Sequence, residues 1–443
     1  MFSRAVSEDS SGQLPCGVGS AMMIGVGAIV GGGVFATMGP ALLQAGGAAP
    51  WAYALGAVPA FLTAYSYSRL TVRFPGCGGT AGFFNVAFGS GYVSAGLNLM
   101  LIICYACIAS LFVGIFGAYL ASLLGIHGEA LIVWSRVFCW LGVGFVAYIN
   151  LFRIEWIKRL QPGMNAVKLL VMGVFVLGAF YSPIWNSSNF SVEKWMPISS
   201  ICAGSMMVFV SYEGFELIAS SKRPFAKPER TVPLAYVLCL VIVLFYYVLI
   251  AVATLGNASL PISSSESSCI ISVVAERFMG TGGAVLLNVG AVVSAISALN
   301  ADVFSVSDMP VLMAREREMP SWFAREDSGR NPWGVVFVCG LLLLFINLLS
   351  MDELVAVSSM GFLFIYAIVN GISLGRTERT PASWCFSGGA ILFCLAAVAI
   401  LILQICQSPR AVLVLGTTGG MLFLPFVWQA AFFSVRFFLK RGE

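Results

Sequence analysis

Gly25-Val26-Gly27-Ala28-Ile29-Val30-Gly31-Gly32-Gly33-Val34-Phe35 lies inside an apolar stretch, residues 18–44, that is long enough to cross a bilayer. Each of three consecutive glycines disfavours a helix by about 1 kcal/mol relative to alanine. In hydrocarbon, a broken helix survives only where protein or a watery cavity satisfies the freed peptide groups. The triplet therefore marks one of two things. It is a break whose second half-helix aims its N–H groups at an anion such as a carboxylate, or it is a small-residue seam for close helix packing.

The chain around this stretch has the composition of a membrane protein. Of 443 residues, 59% are hydrophobic and 10% charged, and the mean hydropathy is +0.92. A soluble chain carries about 25% charged residues. Apolar segments of about 20 residues, the length of a spanning helix, recur at 18–44, 48–70, 92–124, 131–152, 163–185, 198–221, 233–256, 280–308, 334–350, 354–375, 384–405 and 411–438. The expected fold is an all-α polytopic membrane protein with about twelve transmembrane helices. The longest connection, 257–279, contains the Ser-rich run Ser263–Ser268 and has room for short surface helices. Residues 1–15 are polar, so the first apolar segment reads as a retained span rather than a cleaved leader. With the N terminus in the cytoplasm, nineteen of the 24 Lys and Arg residues fall on that side. Only Arg136, Lys194, Arg277 and Arg410 fall opposite. The positive-inside bias then predicts cytoplasmic termini and an integral protein of the cytoplasmic (plasma) membrane.

A second interruption follows in the sixth span: Phe209-Val210-Ser211-Tyr212-Glu213-Gly214-Phe215-Glu216. Each carboxylate at a helix centre costs about 3 kcal/mol on insertion scales. Intramembrane acids read by default as ion or proton sites, and the plainer alternative is a hydrogen-bonded structural pair. Transporters built from a five-span unit and its inverted copy break the first helix of each unit at the midplane, and substrate binds between the breaks. Spans one and six stand at that offset. Lys168, in Asn165-Ala166-Val167-Lys168-Leu169-Leu170-Val171, is the one Lys or Arg well inside a predicted span. Burial would let it exchange a proton near neutral pH, unless it snorkels toward Lys158 and Arg159 at the membrane edge.

Other chemistries lack their parts. His127 is the sole histidine, which excludes a Ser-His-Asp triad. The twelve cysteines are scattered, and Cys104 and Cys107 form a CxxC inside a hydrophobic helix. They read as buried thiols rather than a zinc or redox site. No basic run suits nucleic acid, no filter motif suits a channel, and no metal or nucleophile cluster suits an enzyme. No cofactor is expected.

The stretch Gly27–Phe35, the Ser-Tyr-Glu-Gly-Phe-Glu of span six, Pro228-Glu229-Arg230-Thr231-Val232-Pro233, and Ala314-Arg315-Glu316-Arg317-Glu318-Met319-Pro320 together resemble the amino acid–polyamine–organocation (APC) superfamily. The likeness is greatest to its proton-coupled, sodium-independent amino acid transporters with a span-five lysine. The resemblance implies a leucine-transporter-like fold. Its first repeat would be 17–185, its inverted copy 198–375, and two further helices 384–438, flanked by cytoplasmic segments 1–16 and 439–443. It implies that the amides of Gly31, Gly32 and Gly33 hold a substrate α-carboxylate and that the carbonyls of Ile29, Val210 and Glu213 receive the α-amino group. Phe209 and Tyr212 would line or gate the cavity, with Ser211 beside them. Lys168 would stand where relatives hold sodium, against the Gly27 carbonyl and the hydroxyls of Ser294 and Ser297. Glu216 matches a proton-sensing glutamate. Two positions depart from the pattern: Arg223 and Asp308 stand where the family usually has glutamate and arginine, as if a gate ion pair had exchanged its polarity.

The expected function is secondary active amino acid transport by alternating access, with amino acid, protons and the bilayer as partners. The alternative is an amino acid/amine or amino acid/amino acid exchanger on the same fold. Glu213 and Glu216 would admit cationic substrates. Ala106, Ser110 and Ser358, read as small pocket-facing residues, would admit neutral ones.

Overall fold

The computed structural model describes residues 15–126, 128–152, 154–221, 224–263, 267–325, 332–377 and 383–441, with side chains in all of these but 154–158 and 435–441. Helices carry nearly the whole of it. They are α1 (Val18–Ile29), α2 (Gly33–Ala45), α3 (Ala49–Arg73), α4 (Thr80–Phe88), α5 (Tyr92–Leu123), α6 (Glu129–Phe152) and α7 (Ile154–Phe180). After two short 3₁₀ turns come α8 (Ile198–Val208), α9 (Pro228–Asn257), α10 (Ile270–Arg315), α11 (Pro332–Leu348), α12 (Met351–Arg376), α13 (Gly389–Ile405) and α14 (Ala411–Arg441).

Every predicted apolar segment carries a helix, and the protein is an all-α polytopic membrane protein. Among the described residues, nine helices are long and apolar enough to span by themselves, and the bent pair α1–α2 makes a tenth. Two predicted spans fall short of that measure for different reasons. α3 is 25 residues long but diluted by Tyr, Ser, Thr and Arg. α11, at 17 residues, rises only about 25 Å against a hydrocarbon core of about 30 Å. The connection before the eighth predicted span also differs from expectation. Its second part forms the start of α10, which bends at Gly280, and its Ile270, Ile271, Val274 and Ala275 are buried in the core rather than lying on the surface.

Burial sorts the helices into a centre and a rim. The most apolar stretch of α5 is 89% buried, whereas those of α6 and α14 are 22% buried. A helix apolar all round belongs in the interior of a membrane bundle, and α5 packs along α10, α6, α14, α11 and α12. The rim helices turn Trp134, Trp140, Phe423 and Trp428 outward, where lipid is their solvent. The central helices carry the polar residues, and there the two interrupted segments meet.

Candidate functional site

The first interruption is a true break. α1 stops at Ile29 and α2 starts at Gly33, with a bend of 56° between them. Val30 leaves helical geometry (φ −73°, ψ 69°), and the Gly31 amide turns back onto the Ile29 carbonyl at 2.6 Å. The first amides of α2 have no acceptor within their own helix, as at any helix start. The second interruption unwinds further. α8 ends at Val208 and tightens into a 3₁₀ turn, Phe209–Tyr212. Glu213 is extended, Gly214 sits at φ 112°, and a second 3₁₀ turn runs over Phe215–Ile218. Only glycine takes that left-handed conformation without strain.

The breaks lie directly on each other. A Cβ on Gly214 would stand 2.9 Å from the Ala28 carbonyl carbon and the Ile29 nitrogen, and one on Gly33 would stand 3.0 Å from Ser211 Cα. Both readings of the triplet therefore hold: the glycines permit the break and also the close packing. Hydroxyls tie the seam. Thr37 Oγ1 donates to the Gly33 carbonyl at 3.0 Å and stands 2.6 Å from Ser211 Oγ and 2.8 Å from the Tyr53 hydroxyl. Tyr212 donates to the Tyr53 carbonyl at 2.9 Å. Phe209 packs edge-on against Tyr366 and Tyr212 packs against Tyr247, all four rings buried.

The carboxylates have unequal surroundings. Glu216 accepts hydrogen bonds from Tyr105 of α5 (2.9 Å), Tyr366 of α12 (3.0 Å) and the Gly214 amide (2.9 Å). Glu213 is 6% exposed, and neither of its oxygens has a hydrogen-bond partner. Both line a small cavity with Gly27, Gln161 and Asp302. The cavity holds about 30 Å³, enough for one or two waters but not an amino acid. A larger cavity of about 640 Å³ is lined by Ser122, Arg136, Glu276, Asn288 and Asp352. It includes no residue of either break.

Lys168 of α7 is 3% exposed and donates to the Gly27 carbonyl at 3.1 Å, one turn before the first break. It points into the bundle rather than toward the membrane edge.

Comparison with known proteins fits this geometry. A profile of the family described as amino acid permease matches residues 17–429. The chain belongs to the amino acid permease family. That places it in the APC superfamily its motifs resemble, and makes it a transporter rather than an enzyme. It is 26% identical over 386 residues to the inner membrane transport protein YbaT of Escherichia coli (strain K12), covering 85% of this chain and 87% of that one. An uncharacterized protein of Methanocaldococcus jannaschii is 27% identical over 352 residues, 79% of this chain and 80% of its own. The arginine/ornithine antiporter of Pseudomonas aeruginosa is 25% identical over 350 residues, 76% of this chain and 70% of its own.

In detail the permease differs from several sequence expectations. The Ile29 carbonyl, expected to receive an α-amino group, already takes the Tyr247 hydroxyl at 2.8 Å besides the Gly31 amide. Both of its lone pairs are in use until Tyr247 lets go. The Val210 carbonyl takes the Glu213 amide at 3.3 Å. The Ser297 hydroxyl accepts from Gln161 at 2.8 Å, and the Ser294 hydroxyl is buried without a partner. Of the neighbours expected for Lys168, the Gly27 carbonyl is the one it bonds. Ser110 and Ser358 turn their hydroxyls back onto carbonyls of their own helices, at Ala106 and Leu354. Neither they nor Ala106 line the small cavity. Asp308 is exposed on α10, and Arg223 lies outside the described residues. The sequence reading missed Asp302, although an acid in an apolar helix is the same signal that marked Glu213. It had no means of finding Tyr105 and Tyr366, which become partners of Glu216 only through packing.

Proposed function

We propose that this permease takes up amino acids by alternating access, coupled to protons and independent of sodium. The supporting observation is the pair of helix breaks packed on each other at the centre of the bundle, with buried Lys168 bonded to the Gly27 carbonyl beside them. The amides of Gly31, Gly32 and Gly33 would hold the substrate carboxylate at the start of α2, where the helix dipole favours an anion. The carbonyls of Ile29, Val210 and Glu213 would take the ammonium group, once Tyr247 yields the first. Ser211 and Thr37 bridge the two breaks, so carboxylate binding would part or tighten that seam. The small cavity and direct contact between the breaks describe a closed arrangement, and substrate enters as the half-helices separate.

Lys168 supplies the coupling in this reading. A charged ammonium grips the Gly27 carbonyl and holds α7 to α1, and it repels a sodium ion from the same place. A neutral amine holds more weakly. Glu216, bonded to α5 and α12, is the second proton-coupling group. In proteoliposomes without sodium, an inward proton gradient is expected to drive amino acid accumulation, and Lys168→Ala to abolish that dependence. Unchanged pH dependence in the variant refutes the lysine's role.

The second reading is exchange, favoured by the similarity to a protein named an arginine/ornithine antiporter. Counterflow separates the two, because an obligate exchanger takes up label only into vesicles preloaded with substrate.

A further inference from the structure

The small cavity beside the breaks is lined by three carboxylates, Glu213, Glu216 and Asp302, and by no lysine or arginine. Glu216 is supplied with three donors. The other two are not. Both oxygens of Glu213, nine-tenths buried, and Oδ2 of Asp302 have no hydrogen-bond partner. They come from different elements, one from the unwound part of the sixth predicted span and one from α10. A buried carboxylate left without donor or counter-charge is costly, so such groups take up a cation or a proton when the site is in use. A metal ion is a poor occupant. Among the described residues, no three His, Cys, Asp or Glu side chains come together closely enough to hold one. The acids suit positive charge carried on an organic ligand.

We propose that Asp302 and Glu213 form the side-chain subsite of the transport site and select an α-amino acid whose side chain carries a positive charge. The inference rests on the amino acid transport reading above. The substrate's α-carboxylate and α-ammonium are held by the two breaks, and its side-chain cation reaches across the cavity to the two unpartnered acids. Glu216 is already committed to Tyr105, Tyr366 and Gly214, and it lines the cavity without joining the subsite. Asp302 is thereby a specificity-determining residue on α10, lining the same cavity as the break in the sixth span.

The test is competition binding on purified full-length protein in nanodiscs, using pairs matched in shape but not in charge: lysine with norleucine, arginine with citrulline. The cationic member of each pair is expected to bind at least about tenfold more tightly, the discrimination of one charge-assisted hydrogen bond. Asp302→Asn is expected to bring that ratio near one while binding of norleucine stays within about threefold. Should that variant fail to fold, Glu213→Gln, judged on the ratio within each pair alone, carries the comparison. Equal binding of the paired ligands by the unaltered protein, or an unchanged ratio in the variants, overturns the subsite and leaves transport of neutral amino acids standing. Binding of no α-amino acid at all overturns the transport reading as well.

Discussion

Glu318 shows how a single residue reports its surroundings. It follows α10 outside the membrane-spanning segments and is buried, and its carboxyl is pushed up from the ordinary glutamate value of 4.5 to about 7. Burial is the main cause and neighbouring Glu316 adds to it, while the Gly91 amide and Ser94 hydroxyl at the start of α5 pull it down. The folded protein therefore binds this proton more tightly than the unfolded chain. The stabilisation is complete below about pH 4.5 and is lost as pH rises through about 7. Glu318→Gln is expected to flatten the pH dependence of thermal stability across that window, by about 1–2 kcal/mol once solvent screening is allowed for. Melting temperatures at pH 5 and pH 8 check it, and an unaltered difference between them counts against this account. Residues of this kind divide in legibility. Glu213, Glu216 and Lys168 stand out in the sequence because charge inside an apolar helix needs a reason. Their partners do not, since Tyr105, Tyr366 and Tyr247 are unremarkable until the helices are packed.

At the scale of elements, the unwound part of the sixth predicted span is held by its neighbours rather than by its own ladder. Tyr105 pins it to α5 and Tyr366 pins it to α12, both through Glu216. Removing either hydroxyl leaves a buried carboxylate one donor short, a loss of about 1.5–3 kcal/mol. Tyr105→Phe and Tyr366→Phe are each expected to lower thermal stability by that amount. The double variant should fall short of their sum or exceed it, because both bonds end on one group. Strict additivity in chemical or thermal denaturation would show that the two hydroxyls act independently. The first break was legible as an element because three glycines in a row are a local property. The bend at Gly280 was not, because glycines at 280, 282 and 283 after a serine-rich connection are compatible with a loop, and only the packing of Ile270 and Val274 into the core makes that segment a helix.

For the whole molecule, the charge asymmetry of the loops predicts which end faces the cytoplasm. Tyr181, 88% exposed after α7, should face outside, and exposed Phe88 at the end of α4 should face inside. With the exposed Cys385 and Cys406 replaced by serine, a membrane-impermeant maleimide applied to intact cells is expected to label Tyr181→Cys and not Phe88→Cys. The reverse pattern would invert the topology. The bundle's order from centre to rim follows from the same physics that made the spans legible. α5 is apolar all round and central, whereas α6 and α14 meet lipid on most of their surface.

The sequence alone determined that this chain is a helical membrane protein, where two of its helices are open to interruption, and that Glu213, Glu216 and Lys168 lie in apolar segments. Those are consequences of composition, of glycine's weak helix propensity and of the high cost of charge in hydrocarbon, all readable along one strand of text. Tertiary structure decided how the interrupted segments meet. It set Gly214 against Ala28 and Gly33 against Ser211, gave the Ile29 carbonyl to Tyr247, left Glu213 without a donor while Glu216 received three, and brought Asp302 to the same cavity. The reason is distance along the chain. Hydrogen bonds and exclusion of solvent act between atoms a few ångströms apart, and residues nearly two hundred positions from each other become neighbours only when the helices pack.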